Sequence, residues 1–194
     1  MTMKKASRFK VKTAAKAKKT ASKKKGMSQA DMMALWAKAA TPAENHKRLE
    51  PIVGTFKTKA TFQMAPGEPP SVGEGTSEHR WVLGGRYVEQ RYNGSSMGMP
   101  FEGLGFTGFD NVQGKYVGTW MDTFGTGLMQ SIGVGKPTAK EIKFDSVCIE
   151  PSGKPLRFEC TIRIKDKNKH SYEMWTKAPN GKKFRTMLVE YTRA

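Results

Sequence analysis

Residues 52–194 predict an all-β fold, an antiparallel up-and-down barrel of about ten strands. Three observations carry that prediction. Turn signals recur at short, regular intervals from Ile52 onward: "APGEPP" (65–70), Gly84-Gly85, "NGSSMGM" (93–99), "DNVQG" (110–114), "FGTG" (124–127), "GKPTAK" (135–140), "EPSGKP" (150–155), "KDKNK" (165–169) and "PNGK" (179–182). Asn180-Gly181 is the sharpest of them, a two-residue hairpin signal of the primed type. The runs between the turns have strand length and strand periodicity. Phe158, Cys160, Ile162 and Ile164 alternate with Glu159, Thr161, Arg163 and Lys165, while Tyr116, Gly118, Trp120 and Asp122 share one face of 115–122. Finally, helical periodicity disappears after Ile52. Hairpin-linked strands without intervening helices curl when they are this numerous, and closing the sheet removes its exposed edges. A two-sheet sandwich is the alternative.

Two helical signals precede the barrel, and residues 27–51 are expected to cap one of its open ends. Ser28 stands three positions before Asp31, and Leu35, Trp36 and Ala39 follow at helical spacing. In "TPAE", Thr41 reads as an N-cap, Pro42 as the first helical residue and Glu44 as the capping-box acid, with Pro51 ending the helix.

Residues 1–26 are of another kind. They hold 11 Lys/Arg and no Asp/Glu, against a net charge of +17 for all 194 residues. Ala, Lys, Thr and Ser supply no core, so a disordered basic tail is expected. Lys16, Lys18, Lys19, Lys23, Lys24 and Lys25 are candidates for neutralising phosphates without reading sequence. Phe9 is the tail's lone aromatic, so stacking on bases is not offered. The alternative is a charged appendage, with Met27 as a second start. The tail lacks the apolar core of a secretory signal, and no run approaches the roughly 18 apolar residues of a membrane helix. Two cysteines argue against a disulfide framework and for a cytoplasmic setting.

The ordered set "PAENHKRLEPIVGTF", "VLGGRYVEQRY", "PFEGLGFTGFDN", "KYVGTWMDTFGTGL" and "VEYTR" resembles the mostly bacterial domain-of-unknown-function family 1579, over about residues 30–193. That resemblance implies no established reaction. A second one concerns the fold. "VGTF" with Arg193 looks like the Gly-X-Trp and closing arginine of the lipocalin and fatty-acid-binding barrels, with Phe56 in place of the tryptophan. It implies a lipocalin-like barrel in which Gly54, Phe56 and Arg193 form a structural closure.

Candidate chemistry lies in polar residues set among aromatics. Half of a barrel's strand positions face inward, and a few placed polar groups on an aromatic lining orient a ligand. The expected cargo is a small, partly apolar molecule. Tyr92, Tyr116, Trp120 and Tyr172 would give contact area, while Arg86, Glu102 and Asp122 would orient it. Glu102 and Asp122 are also the pair an interior acid–base enzyme would use, a rival reading beside nucleic-acid association through the tail. No nucleophile arrangement, cofactor or metal is indicated. "GLGFTG" matches a dinucleotide fingerprint at Gly103, Gly105 and Gly108, but a polar loop precedes it and a turn and strand follow, so the glycines read as sites of close approach. His46, His79 and His170 share no metal-ligand spacing and read as surface or strand-end residues, although a single histidine such as His170 can ligate haem inside a barrel. Cys148 and Cys160 flank a turn and either pair across the hairpin or stay free.

Overall fold

The turn residues divide the chain as their conformational needs require. Gly84 and Gly85 (φ 64° and 82°) occupy left-handed backbone that a side chain resists, and Gly181 (φ 80°) does the same in the last hairpin. Between the turns run ten strands: β1 (Gly54–Phe62), β2 (Ser71–Val82), β3 (Tyr87–Ser96), β4 (Met99–Asp110), β5 (Lys115–Asp122), β6 (Met129–Val134), β7 (Glu141–Ile149), β8 (Pro155–Ile164), β9 (Lys169–Lys177) and β10 (Lys183–Arg193). This computed structural model describes residues 26–138 and 140–194. Each strand pairs antiparallel with its neighbours in sequence, and β1 pairs with β10 to close the barrel. The lysines singled out at 16–25 lie outside the described residues.

Alternation decides what each strand buries. On β1, Phe56, Thr58 and Ala60 are buried and Thr55, Lys57 and Lys59 are exposed. On β8, Cys160, Ile162 and Ile164 face in, while Glu159, Thr161 and Arg163 do not. Leu49, Ile52, Val88, Tyr116, Ile142, Phe144 and Cys160 pack into one core cluster at the end where the chain enters. Cys148 and Cys160 are both free. The register explains why, because Cys160 stands opposite Phe144 and Cys148 opposite Leu156.

The entering segment closes that end, but not through both helical pieces. Glu44–Lys47 (α2) and a single 3-10 turn, Glu50–Ile52, bring Leu49 and Ile52 into the core. The N-cap falls at Ala43, not Thr41, and the His46 imidazole replaces a capping carboxylate: the Ala43 N–H donates to His46 Nδ1 at 3.0 Å. Further bonds fix the plug. Tyr116 Oη donates to the Asn45 carbonyl (2.7 Å), and Trp81 Nε1 donates to Glu50 (2.7 Å). By contrast α1 (Gln29–Ala40), although capped by Ser28 and Asp31 as expected, buries none of its residues. Its Met32, Met33, Leu35 and Trp36 are exposed, and Asn111 reaches the adjoining carbonyls of Ala39 and Thr41. No described helix is long and apolar enough to cross a membrane.

Candidate functional site

Arg193 seals the barrel from below. Its Nε donates to the Lys167 carbonyl (2.9 Å) and its two terminal nitrogens to the carbonyls of Val53 (2.9 Å) and Pro51 (3.3 Å). The guanidinium lies 4.7 Å from the centre of the Phe56 ring, its cross-strand partner. Gly54 makes this possible, since a Cβ there would stand 2.0 Å from an Arg193 terminal nitrogen. The closure read from Gly54, Phe56 and Arg193 is thus present, with a phenylalanine face where the lipocalin pattern has tryptophan.

Above Phe56 sits an aromatic and imidazole floor. His170 packs edge-on to Phe56 (4.6 Å between ring centres) and stacks on Tyr191 at 4.2 Å and 10°. His79 lies 5.6 Å from both His170 and Tyr191. Both histidines are buried, as is His46, so none takes the expected surface position, although His170 does stand at a strand end. A hydrogen-bonded chain ties His79 to the wall: its Nε2 is 2.8 Å from Ser77 Oγ, and the Gln90 amide donates to both Ser77 Oγ and Tyr191 Oη at 3.1 Å. Three buried polar atoms beside this chain, Thr58 Oγ1, His79 Nδ1 and His170 Nδ1, have no partner. Burial drives the His79 pKa down from 6.5 to about 4. For His170, burial, then the neighbouring His79, then Arg193, bring it to about 3. Both rings are neutral at physiological pH. Burial also pushes Tyr191 up to about 12 and Tyr172 well above its usual value, so both phenols stay protonated.

A cavity of about 1030 Å³ rises from this floor. Its wall includes Val88, Phe144, Ile162 and Met174, and its upper rim is built from Met64, Pro66, Met97, Phe124, Leu128 and Pro179 of the connecting loops. Tyr92, Trp120, Asp122 and Tyr172 line it, four of the seven residues expected to meet a ligand. The Trp120 indole donates to Asp122 (2.8 Å), whose second oxygen accepts from the Phe124 N–H (3.0 Å).

The other three residues stand elsewhere. Tyr116 faces inward but is buried in the plug cluster, its hydroxyl occupied by the Asn45 carbonyl. Glu102 lies between Phe101 and Gly103, which take the inward positions, so its carboxylate opens onto an outer groove with Glu78, Arg91 and Asn93. Glu102 is thus absent from the cavity lining, while Asp122 lines both the cavity and this groove, its carboxylate already accepting from Trp120 and Phe124. Arg86 belongs to the β2–β3 turn at the closed end, where it donates to the Leu83 carbonyl (2.9 Å). Among the described residues, no group of three or more His, Cys, Asp or Glu is placed to hold a metal ion.

Of the floor residues, Gln90 and Thr58 were missing from the sequence reading and His79 and His170 were read as surface or strand-end residues, although two of the four had a legible signal. His170 shares parity with Tyr172 and Met174, and Gln90 with Val88 and Tyr92. The glycine fingerprint also has its explanation. A Cβ on Gly103 would stand 2.1 Å from the Trp120 ring, one on Gly105 would stand 2.8 Å from it, and one on Gly108 would meet the Tyr87 ring at 2.4 Å. These glycines seat rings.

The crystal structure of Rv2717c from M. tuberculosis is similar in fold, with a TM-score of 0.60 at 15% identity, covering 79% of this chain and 99% of that one. A de novo designed fluorescence-activating β-barrel aligns at 16% identity and a TM-score of 0.41, covering 73% of this chain and 93% of its own. A redesigned β-barrel aligns at 11% and 0.40, covering 81% and 96%. No curated protein matches the chain. Residues 41–193 match the model of the family described as "Protein of unknown function (DUF1579)", and the chain belongs to that family.

Proposed function

We propose that the protein binds a small, partly apolar molecule inside the barrel, as a carrier or sensor. The supporting observation is a cavity of about 1030 Å³ that is plugged at one end, rimmed by apolar loop residues at the other, and lined by aromatic and aliphatic side chains. Cavities of this size hold drug-sized ligands, and each buried methylene contributes about 0.8 kcal/mol before the costs of association. Native against denaturing mass spectrometry on the freshly purified chain tests the reading. A reproducible extra mass lost on denaturation supports it. A bare mass from cell extracts, together with no uptake of the neutral dye Nile red, overturns it.

A second reading has one observation in its favour. His170 lines the cavity with no hydrogen-bond partner on its Nδ1, and a single imidazole in an apolar pocket is how a protein presents an axial ligand to haem. Against it, ligating histidines ordinarily donate their other N–H to a carboxylate or carbonyl, which His170 lacks. A Soret band formed with haemin and abolished by His170→Ala would favour it, and no band would exclude it.

A further inference from the structure

The cavity's charges are confined to its upper half. Among the described residues lining it, Asp122 and Lys177 are the side chains ordinarily charged at neutral pH. Each is the last residue of its strand on the open side. The nearest cation to the floor, Arg193, is committed to three carbonyls and separated from the cavity by the Phe56 ring. A carboxylate driven down to the floor would therefore be desolvated with no cation in contact, the Arg193 charge acting on it only from behind the Phe56 ring. That is a costly arrangement in a protein interior. The floor is nonetheless polar. His79 and His170 line it, and Thr58 Oγ1, His79 Nδ1 and His170 Nδ1 are buried without partners. Each of these residues is more than nine-tenths buried. A neutral imidazole carries one N–H donor and one acceptor nitrogen, so an uncharged group that both gives and takes a hydrogen bond matches it. Buried polar atoms are nearly always paired, and a ligand head group would complete the two imidazoles, Thr58 standing outside the cavity lining.

Resting on the binding reading above, we infer that the cargo is an uncharged amphiphile, its hydroxyl or amide head seated on His79 and His170 and its apolar body filling the barrel toward the loops, and not a fatty-acid anion.

The test uses the full chain loaded with Nile red, displaced at pH 8 by dodecan-1-ol or by dodecanoate. The alcohol should displace the dye at a concentration at least about 100-fold lower, the carboxylate having to be desolvated without a partner. His170→Phe should reduce the alcohol's affinity about tenfold, and His170→Gln, which keeps a donor and an acceptor, should restore most of it. Should His170→Phe fail to fold, the Gln variant beside wild type still reads the ratio between the two ligands. Equal or tighter binding of dodecanoate, weakened by Lys177→Gln, would mean an anion held at the mouth and would overturn the inference while leaving the binding reading intact. Dye that neither chain displaces, or a Soret band in the protein as purified, overturns it as well. A barrel that takes up neither dye nor alcohol nor carboxylate brings down the binding reading itself.

Discussion

Two neutral histidines in the floor make the barrel acid-sensitive in a pH range where carboxylates do not act. In the unfolded chain each imidazole titrates near 6.5, whereas in the barrel His79 titrates at about 4 and His170 at about 3. The folded pKa values are depressed, so below pH 6.5 the unfolded chain binds protons that the barrel refuses. Stability is therefore highest above that value and falls as the pH drops toward 4. At pH 5 each histidine costs about 2 kcal/mol, and the pair about 4 kcal/mol, from the free energy of protonating the unfolded form alone. That is a large part of the roughly 5–15 kcal/mol of an ordinary domain. Urea unfolding followed by tryptophan fluorescence at pH 7.5, 6 and 5, at fixed ionic strength, measures it. His170→Phe should keep the ring contact with Tyr191 and remove about half of the loss. His46, whose pKa burial also lowers, contributes in the same window and remains in the variant. Glu44, Glu89 and Asp110 have lowered pKa values and act only below about pH 4.5. Stability flat from pH 7.5 to 5 would mean that the imidazoles take protons in the folded state, and a floor open to water would refute the reasoning.

Three further outcomes follow from contacts already described, and a fourth concerns the basic tail. Thr58→Val removes a buried hydroxyl without a partner and should raise stability by about 1 kcal/mol in thermal or urea melts. Gly103→Ala puts a Cβ into the Trp120 ring, so it should cost about 1–3 kcal/mol and shift tryptophan emission as the indole leaves Asp122. Gly54→Ala imposes a side chain at φ 131° and on the Arg193 guanidinium, and should cost at least about 2 kcal/mol, with Arg193→Lys showing a similar loss of the three carbonyl bonds. If about six tail lysines meet phosphates, DNA affinity should fall with a log–log salt slope of about −5 and vanish in a chain beginning at Met27, while Nile red uptake is unchanged.

Much of the barrel could be read before its coordinates were known, because hairpin turns make demands that few residues meet. Gly84, Gly85 and Gly181 turn the chain where φ is positive. Asn180 does not share that conformation, and residues 178–182 form a five-residue loop in place of the expected two-residue primed turn. The inward parity of Cys160, Ile162 and Ile164 was visible because their neighbours Glu159, Thr161 and Arg163 are polar or charged. By contrast, Val117 and Met121 alternate with Tyr116, Trp120 and Asp122 and leave that strand's faces less distinct. The site was harder to read where alternation is silent. β2 turns Gly73, Gly75, Ser77 and His79 inward and Glu74, Thr76 and Glu78 outward, and both faces look polar. Nothing in that run announces a buried imidazole. Glu102 misled for the opposite reason, since an aromatic neighbourhood says nothing about which side of the sheet a residue takes.

The same glycines that hide β2's buried face explain why the barrel has an interior to offer. A Cβ on Gly75 would stand 2.6 Å from the Tyr92 hydroxyl oxygen, and one on Gly94 would stand 2.8 Å from it. Trp120 lies in the same way over Gly103 and Gly105. Wide rings rest in the spaces that missing side chains leave on adjacent strands, and so lie along the wall. Packed against leucine or valine at those positions, the rings would have to turn toward the barrel axis, and close packing would fill it. Near the plug this does occur, with Leu49, Ile52, Val88 and Tyr116 in mutual contact. Farther up, Tyr92 and Trp120 lie over glycines and the lumen stays open between them. The cavity is thus specified by side-chain size on neighbouring strands, and the polarity of its floor by three residues, His79, Gln90 and His170, that no turn or hydrophobic pattern required.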